Sequence, residues 1–524
     1  MHALHNAPEA AHWLRTRVTG ALRTDSRQVQ PGDGFIAWPG AATDGRRYLA
    51  QALQRGATAC LMEAQGHEPW LAGLPSDASP VLATLSDLKA QTGRVAAAYY
   101  EQPSQALNVL AVTGTNGKTS TAWWLAQALS SPVLKQACGL VGTLGVGQFV
   151  DQLPHLVSTG MTTPDPVLMQ RQFRAFADSR VTHCAIEASS IGLAEHRLDG
   201  THIRVAVFTN FTQDHLDYHG DMARYWAAKA ALFGWPGLQA AVINIDDAQG
   251  ALLARQLSDG PLDVWTCSQR GDARLQARAL PSTQGIAFEV HEGQDVQTLH
   301  TGLMGDYNID NLLGVIGSLR ALGFDLAQAV QACAHVSAVP GRMQRVLAQQ
   351  QSVPAQQQSA PAQPADQNLP LVVVDYAHTP DAVLHALDAL RSQATARGGR
   401  LWCVLGCGGD RDALKRPLMA AAAEASADRV VLTSDNPRSE SPEAILAAMV
   451  KGLRRPAQAH IQADRALAIA QAVAQAAAQD VVLLAGKGHE TEQDIMGVRH
   501  PFSDVAQAQM ALQQRAAQRQ GAAA

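Results

Sequence analysis

Gly114-Thr115-Asn116-Gly117-Lys118-Thr119 stands between the apolar run Val109-Leu110-Ala111-Val112 and a stretch with helical patterning, the order of a phosphate-cradling loop between strand and helix. The glycines let the backbone curl until successive N–H groups face one anion. The helix N-terminus adds positive potential, Lys118 adds a charge, and Thr119 offers its hydroxyl to Mg²⁺. The pattern predicts ATP binding. The strict P-loop expression also asks for a glycine five positions before Gly117, where Val112 stands, so a Gly-rich turn with a surface lysine is the alternative. Downstream, Glu187 closes the apolar run Cys184-Ala185-Ile186, and His215 lies in Asn210-Phe211-Thr212-Gln213-Asp214-His215-Leu216-Asp217-Tyr218-His219-Gly220. A hydroxyl, a carboxylate and an imidazole after three separate apolar runs suit Mg²⁺ bridging phosphates, because hard cations prefer oxygen and keep several waters. His215 and His219 also form an HxxxH pair, which suggests zinc on a helix. Gly220 and Asp221 interrupt any continuing helix there and no third soft ligand is evident, so zinc is the lesser reading.

The elements that must position these groups follow from where apolar runs stop. Besides Glu187, Asn210 follows Val205 to Thr209, Asp375 follows Leu371 to Val374, and Gly406 follows Leu401 to Leu405. Asp435 follows Val430 to Ser434, and Gly486 follows Val481 to Ala485. Open parallel sheets bind ligands outside the carboxyl ends of their strands, so these positions are expected at the mouths of two crevices. At 524 residues the chain exceeds one hydrophobic core. Pro103-Ser104-Gln105 and Pro340-Gly341 divide it into residues 1–104, 105–339 and 340–524. Apolar runs alternate with Ala-rich amphipathic stretches in the last two parts, the signature of a mostly parallel sheet covered by helices. In the first part, Thr24 to Ala37 reads as short strands around a Pro-Gly-Asp turn, with a helix over Tyr48 to Arg55. The fold class is α/β in three domains. Gln349 to Asn368, rich in Gln, Pro and Ala, reads as a flexible surface insertion.

A net charge of −5, with 47% hydrophobic and 17% charged residues, offers no global pull toward nucleic acid or an anionic membrane, so any anion site is local. Seven cysteines without a CxxC pair point to free, mostly buried thiols in a reducing compartment rather than to disulfides or a zinc site. The start, Met1-His2-Ala3-Leu4-His5-Asn6, lacks a basic region followed by an apolar core, and no segment has the length of a membrane span. The cytoplasm is the expected location, with small-molecule substrates and a monomeric chain.

The chain is similar to the Mur ligase family, ATP-dependent amide ligases that build the peptidoglycan stem peptide. The likeness covers nearly all 524 residues. It is carried by GTNGKT at Gly114, NFTQDHLDYHG at Asn210, GDYNIDN at Gly305, PGRMQRV at Pro340, DYAHTPD at Asp375, GCGGDRD at Gly406, DNPR at Asp435 and GKGHE at Gly486. Within the family it resembles the ligases that add the third residue to UDP-N-acetylmuramoyl-L-alanyl-D-glutamate (UDP-MurNAc-L-Ala-D-Glu).

The resemblance implies an N-terminal UDP-binding α/β domain, a central P-loop ATPase-like domain with a parallel sheet, and a C-terminal Rossmann-like domain that takes the amino acid. It implies that the D-Glu carboxylate attacks the γ-phosphate of ATP, and that an amine then displaces phosphate from the acyl phosphate. Lys118 would hold the β and γ phosphates, Thr119 with Glu187 one Mg²⁺, and His215 would help hold a second. Lys229, read alone as a solvated lysine on a helix capped by Asp221, is by resemblance the lysine that carries CO₂ as a carbamate and gives the second Mg²⁺ an oxygen ligand. Asn308 and Asn311 of the central domain, with Arg342, Asp375 and His378, would surround the base, ribose and phosphates. Asp375 is the ribose partner, and Arg342 reaches the phosphates unless it is a buried structural arginine. Ser26 and Arg27 fit the uridine nucleotide, while Thr162, Thr163, Ser189 and Arg197 match contacts to sugar and dipeptide. Two positions depart from the family pattern: Ile191 stands where many relatives have histidine, and Glu195 where glutamine is common.

Asp435-Asn436-Pro437-Arg438 is the family's marker for meso-diaminopimelate. This substrate differs from lysine by a second α-amino-acid head, whose carboxylate an arginine can grip with paired hydrogen bonds. Arg438 and Arg411 are the expected cationic contacts. Asp435, Asn436, the Gly486 carbonyl and Glu490 would receive the ammonium hydrogens and remaining polar groups. Read without the family, DNPR is a turn. The rival readings are a related ligase such as folylpolyglutamate synthase or the D-Ala-D-Ala-adding enzyme, a P-loop kinase or nucleotide switch, and a nonenzymatic scaffold. DNPR and Thr162-Thr163-Pro164-Asp165 weigh against the first pair, and the intact Lys118, Glu187, His215 and Lys229 against the scaffold.

Overall fold

The structure, a computed structural model, describes residues 1–40, 43–74, 79–150, 152–282, 285–348 and 368–523. All of the expected insertion except Asn368 lies outside them. Three main sheets carry the chain. The first is parallel throughout, with strands in the order His2–Ala3, Leu82–Leu85, Ala59–Glu63, Gly34–Ala37 and Leu22–Arg23. The helix expected over Tyr48 to Arg55 forms at Leu49–Gln54.

The central sheet has eleven strands, of which the inner seven are parallel. Antiparallel hairpins form both edges. Asn108–Thr113, the strand that feeds the glycine loop, lies between His183–Glu187 and Val205–Phe208. Chain order reverses at this strand, so a crevice opens at its carboxyl end. Lys118–Leu129, the helix after the loop, is buried on nearly all sides between the sheet and the helix Tyr307–Ala321, which explains its apolar circumference.

The third sheet runs Gln344–Val346, Leu371–Asp375, Val481–Ala485, Leu401–Cys407, Arg429–Ser434 and His460–Ile461. It is parallel apart from the first strand. Asp375 ends its strand, and Asp435 and Gly486 directly follow theirs, so the polar residues that close apolar runs do collect at one end of this sheet. Gly406 is the penultimate residue of its strand.

Specific contacts join the three parts. Val167, on the helix Pro166–Asp178, packs into the core of the first sheet with Leu14, Leu88 and Val95. Lys89 of the first part pairs with Glu195 of the second at 2.7 Å, and Tyr218 donates to the same carboxylate. Glu195 is therefore one of the residues that tie the first two parts together. At the other junction Gly341 has φ +68°, and a Cβ there would lie 2.0 Å from the His489 nitrogen. Only glycine lets the connecting segment pass so close to the loop after Val481–Ala485. Met304 and Tyr307 pack against the core of the third sheet. All seven cysteines are free and buried. Among the described residues no helix is long and apolar enough to cross a membrane.

One ion pair fixes the carboxyl ends of two third-sheet strands. Arg465 and Asp504 are wholly buried and meet at 2.6 and 2.7 Å. The guanidinium also donates to the carbonyls of Ser434 and Ala485, at 3.1 and 3.0 Å. Asp504→Ala is expected to lower the stability of the third sheet's unfolding transition by about 3–5 kcal/mol, because it leaves an uncompensated buried cation. Urea unfolding followed by tryptophan fluorescence checks it; a change under about 1 kcal/mol would mean that the pair relaxes into water.

Candidate active site

Backbone shape sets the glycine loop. Gly114 has φ +146° and Gly117 φ +83°, and Cβ atoms there would fall 1.9 Å from Thr209 Oγ1 and 2.3 Å from Asn311 Oδ1. Asn210, two residues beyond its strand, accepts from the Thr115 N–H with its carbonyl and from the Asn116 N–H with Oδ1, each at 2.9 Å. Thr209 Oγ1 donates to the Asn116 carbonyl at 2.6 Å. The loop is thus bolted to the neighbouring strand, and the N–H groups opening the helix at Lys118 form its anion-facing edge. Lys118 Nζ folds back onto the carbonyls of Gly114 and Thr115, at 2.9 and 2.7 Å. Burial lowers the pKa of this amine, and Arg342 adds to the effect against the opposing charges of Glu187 and Asp214.

Glu187, the last residue of its strand and buried, organises the crevice. Thr119 Oγ1 donates to its Oε2 at 2.8 Å, the Thr143 N–H to Oε1 at 2.7 Å, and Thr143 Oγ1 to Oε2 at 3.2 Å. The Glu187 carbonyl accepts from Thr163 Oγ1 at 2.7 Å, and Ser189 lies 3.0 Å from that hydroxyl. Thr162 accepts from Thr143, and Arg197 donates to the Thr163 carbonyl at 2.9 Å. Thr162, Thr163, Ser189 and Arg197 therefore surround the same carboxylate strand end as the phosphate loop. Asp165 of that motif caps the helix Pro166–Asp178 by accepting from Val167 and Leu168 N–H groups. Ile191 sits in the short helix Ser190–Ala194 and offers no polar atom.

Across the loop, Lys229 is 1% exposed; its Nζ donates to the Gly114 carbonyl at 2.6 Å and sits 4.5 Å above the Tyr225 ring. Its helix, Met222–Ala230, is capped by Asp221 as expected. Burial pushes the Lys229 amine well below its ordinary pKa, and Lys118 beside it pushes the same way. His215 has a left-handed backbone, φ +51°, and its Nε2 lies 3.5 Å from Asp214. Burial also lowers the His215 imidazole. Asp214, itself desolvated, is nevertheless held low by His215, His378 and Lys415. His219 turns instead to Ser190 Oγ at 3.0 Å, so the HxxxH residues do not share a ligand site. Among the described residues no three His, Cys, Asp or Glu side chains gather around a possible metal position. The oxygen pair of Thr119 and Glu187 suits Mg²⁺, which completes its shell with water and phosphate rather than with a protein cage.

Asn308 and Asn311 form a buried ladder, 2.9 Å apart, against Gly117. Arg342 enters from the third part of the chain: its Nη2 lies 3.4 Å from Thr119 Oγ1 and its guanidinium 4.5 Å above the Tyr376 ring. Its Nε is buried with no hydrogen-bond partner among the described residues. Asp375 is buried, which raises its pKa, and accepts from the Met343 N–H at 2.7 Å. His378 Nδ1 lies 2.8 Å from the Tyr376 carbonyl, and burial lowers it. Ser26 and Arg27 stand apart from this convergence. Ser26 donates to Gln51 at 2.7 Å, and the exposed Arg27 pairs with Asp25 at 2.8 Å.

A second cluster lies at the carboxyl ends of the third sheet. Arg438 has φ +50° and donates from Nη1 to the Gly409 carbonyl at 2.6 Å. Arg438 and Arg411 both flank Gly408, where a Cβ would lie 2.9 Å from one and 3.7 Å from the other. Gly486 has φ +116° and its missing Cβ leaves room for Asp435 Oδ2. Asn436 Nδ2 donates to Glu490 at 2.7 Å. All six expected residues thus converge. Sequence reading missed Thr143, Asp214, Lys415 and Lys487; Thr143 could have been found, since it follows the apolar Leu140-Val141 run and Gly142.

Three family models match the chain. Residues 20–103 match the Mur ligase family catalytic domain, 112–319 the Mur ligase middle domain, and 363–488 the Mur ligase glutamate ligase domain. A protein of Acidovorax sp. (strain JS42) named UDP-N-acetylmuramoyl-L-alanyl-D-glutamate--2,6-diaminopimelate ligase is 56% identical over 98% of this chain and 99% of its own. A protein of the same name from Pseudomonas aeruginosa PAO1 is 44% identical over 94% of each. A solved structure of a ligase with that name is 35% identical, covers 94% of this chain and 95% of its own, and superposes with a TM-score of 0.62. A folylpolyglutamate synthase from Mycobacterium tuberculosis, 20% identical over 80% of this chain and 94% of its own, with a TM-score of 0.58, shares the fold.

The environment of Lys229 has a pH signature. Because its folded pKa is depressed below the ordinary 10.5, the unfolded chain binds a proton that the folded chain lacks, and stability from this site grows as pH rises toward that value. The difference in unfolding free energy between wild type and Lys229→Met is expected to increase in favour of wild type from about pH 7 to about pH 9.5, in CO₂-free buffer. A pH-independent difference would require a charged ammonium in the folded state.

Proposed function

The chain belongs to the Mur ligase family, and on that premise we propose that it joins meso-2,6-diaminopimelate to UDP-MurNAc-L-Ala-D-Glu at the expense of ATP. The observation that carries this reading is Arg342. It extends from the part of the chain bearing the Arg438 cluster to within 3.4 Å of Thr119, so the third part contributes a cation to the phosphate-loop helix of the second.

The central crevice holds the triphosphate and the acid. Lys118 leaves its loop carbonyls to meet the β and γ phosphates, and the N–H groups opening its helix add fixed dipoles. Thr119 and Glu187 would hold one Mg²⁺, and His215 with a carbamate on Lys229 would hold a second; the bound ions would supply neutralisation of phosphate charge. Burial and the neighbouring Lys118 lower the Lys229 pKa well below its ordinary value and so favour the unprotonated amine, the form that adds CO₂, which supports the carbamate. Asn308, Asn311, Asp375 and His378 frame the nucleoside. Thr162, Thr163, Ser189 and Arg197 orient the sugar-dipeptide so that its D-Glu carboxylate reaches the γ-phosphorus, with Ser26 and Arg27 toward the uridine end. ADP leaves, and the acyl phosphate then meets the deprotonated amine delivered by the third domain; the amine takes the carbonyl carbon as phosphate departs. There Arg438 and Arg411 grip the distal carboxylate, and Asp435, Asn436, Glu490 and the Gly486 carbonyl hold the remaining polar groups. Positioning and charge neutralisation carry the catalysis.

We assign residues 1–104 to the uridine nucleotide, 105–339 to ATP and 340–524 to the amino acid. The free thiols support a cytoplasmic location, and we assign a monomer.

Product mass after incubation with ATP, Mg²⁺ and UDP-MurNAc-L-Ala-D-Glu is expected to show addition of meso-diaminopimelate and not of L-lysine. Arg438→Ala should raise KM for diaminopimelate about 30-fold or more while KM for ATP stays within about twofold. Equal losses would remove Arg438 from the amino-acid pocket. Stripping bicarbonate from the assay is expected to lower kcat, with recovery when it is restored; a rate indifferent to bicarbonate would rule out the carbamate.

A further inference from the structure

Lys487 is a wholly buried cation outside every role assigned so far. Its ammonium carries three hydrogens, and each has one acceptor: Glu490 Oε2 at 2.8 Å, Asn436 Oδ1 at 3.0 Å and the Glu492 carbonyl at 2.7 Å. The Asp494 N–H donates to the same Asn436 oxygen at 3.0 Å. Two obligate donors therefore face one end of the Asn436 amide, so that end must be the oxygen. The NH₂ end is forced toward Glu490 and the pocket. Both bonds on the Glu490 carboxylate fall on Oε2, and Oε1 takes none among the described residues.

We propose that Lys487 is a positioning residue that sets the specificity of the amino-acid pocket: it fixes Asn436 as a hydrogen-bond donor to the substrate's distal carboxylate and turns Glu490 Oε1 toward its ammonium. This rests on the diaminopimelate reading above. Lys487 touches no substrate. It acts on the two groups that tell a two-headed amino acid from a one-headed one. Its third hydrogen, on the Glu492 carbonyl, ties that setting to the hairpin Glu492–Ile495 and Val498–Pro501. The same hairpin holds the backbone of Arg438, whose N–H donates to the Asp494 carbonyl at 3.0 Å and whose carbonyl accepts from the Met496 N–H at 2.6 Å. One buried charge thus sets the polarity of Asn436, the aim of Glu490 and, through the hairpin, the seat of Arg438.

The test is steady-state kinetics on wild type, Lys487→Met, Asn436→Ala and the double variant, with folding of each checked by thermal unfolding. Lys487→Met is expected to raise KM for meso-diaminopimelate about 30-fold or more with KM for ATP and for the UDP-linked substrate within about threefold. The double variant is expected to be little worse than the poorer single variant, because both changes remove one linked unit. A folded Lys487→Met with an unchanged KM for diaminopimelate, an equal loss for all three substrates, or additive effects in the cycle would each overturn the inference. Should Lys487→Met not fold, Asn436→Asp reads the same polarity: it places an anionic oxygen where the NH₂ faces the pocket and is expected to weaken diaminopimelate by a similar factor. An Asn436→Asp enzyme with wild-type KM would overturn it. Failure of the underlying reading looks different, since wild type itself would then give no diaminopimelate product.

Discussion

The buried carboxylate of Glu187 is the constraint on which the central part of the molecule turns. A lone carboxylate at the end of a central strand would be costly, and three short donor contacts from Thr119 and Thr143 offset that cost. Those contacts fix two things together. Thr119 belongs to the first turn of the helix after the glycine loop, and Thr143 to the turn between Cys138–Gly142 and Gly145–Val150. The carbonyl of the same residue then holds Thr163. Phosphate loop and acid-binding segment are thereby referred to one point, within reach of each other, before any substrate arrives. Gly142 and Gly114 are glycines because side chains there would occupy the space of Glu187 and Thr209.

The third domain solves the same problem with the charges reversed. Buried cations, Arg465 and Lys487, stand behind the strand ends and satisfy carbonyls and side chains that would otherwise be orphaned. Arg465 holds the carbonyls of Ser434 and Ala485, the residues just before Asp435 and Gly486. Backbone position is set by one cation and side-chain polarity by the other. Arg342 links the two halves, and beside it Gly341 packs closely against His489, next to Glu490 in sequence.

Much of this was legible in the sequence, for a physical reason. Parallel strands read as apolar runs, and a polar residue that ends such a run has few places to go other than the crevice; Glu187, Asp375, Asp435 and Gly486 were found in that way. Edge hairpins were not legible, because an antiparallel strand such as Leu153–Val157 is short and exposed and carries no uniform apolar signal. Lys487 was missed because a lysine is a surface residue by default, and its burial is tolerable only because Asn436, from a distant segment, joins the nearby Glu490 and Glu492 carbonyl as acceptors. Asp214 was hidden beside His215, since adjacency in sequence says nothing about which neighbour faces the charges of Lys415 and His378. Ser26 and Arg27 were readable only through the family likeness, and their side chains pair locally with Gln51 and Asp25.

Two lysines converge on one carbonyl, and that crowding explains how the loop is poised. Lys118 and Lys229 both donate to the Gly114 oxygen, at 2.9 and 2.6 Å. Two ammonium ions so close repel in a site shielded from water, which disfavours both carrying a charge. Burial lowers the pKa of both amines; on Lys229 the charge of Lys118 adds to it and Asp214 opposes it, whereas on Lys118 Glu187 and Asp214 both oppose burial. An anion entering the loop offers Lys118 a better partner than a neutral carbonyl and draws it forward. Lys229 then remains on the Gly114 carbonyl, over the Tyr225 ring, in surroundings that favour the unprotonated amine. The different electrostatic surroundings of the two lysines follow from burial and from the carboxylates that face Lys118.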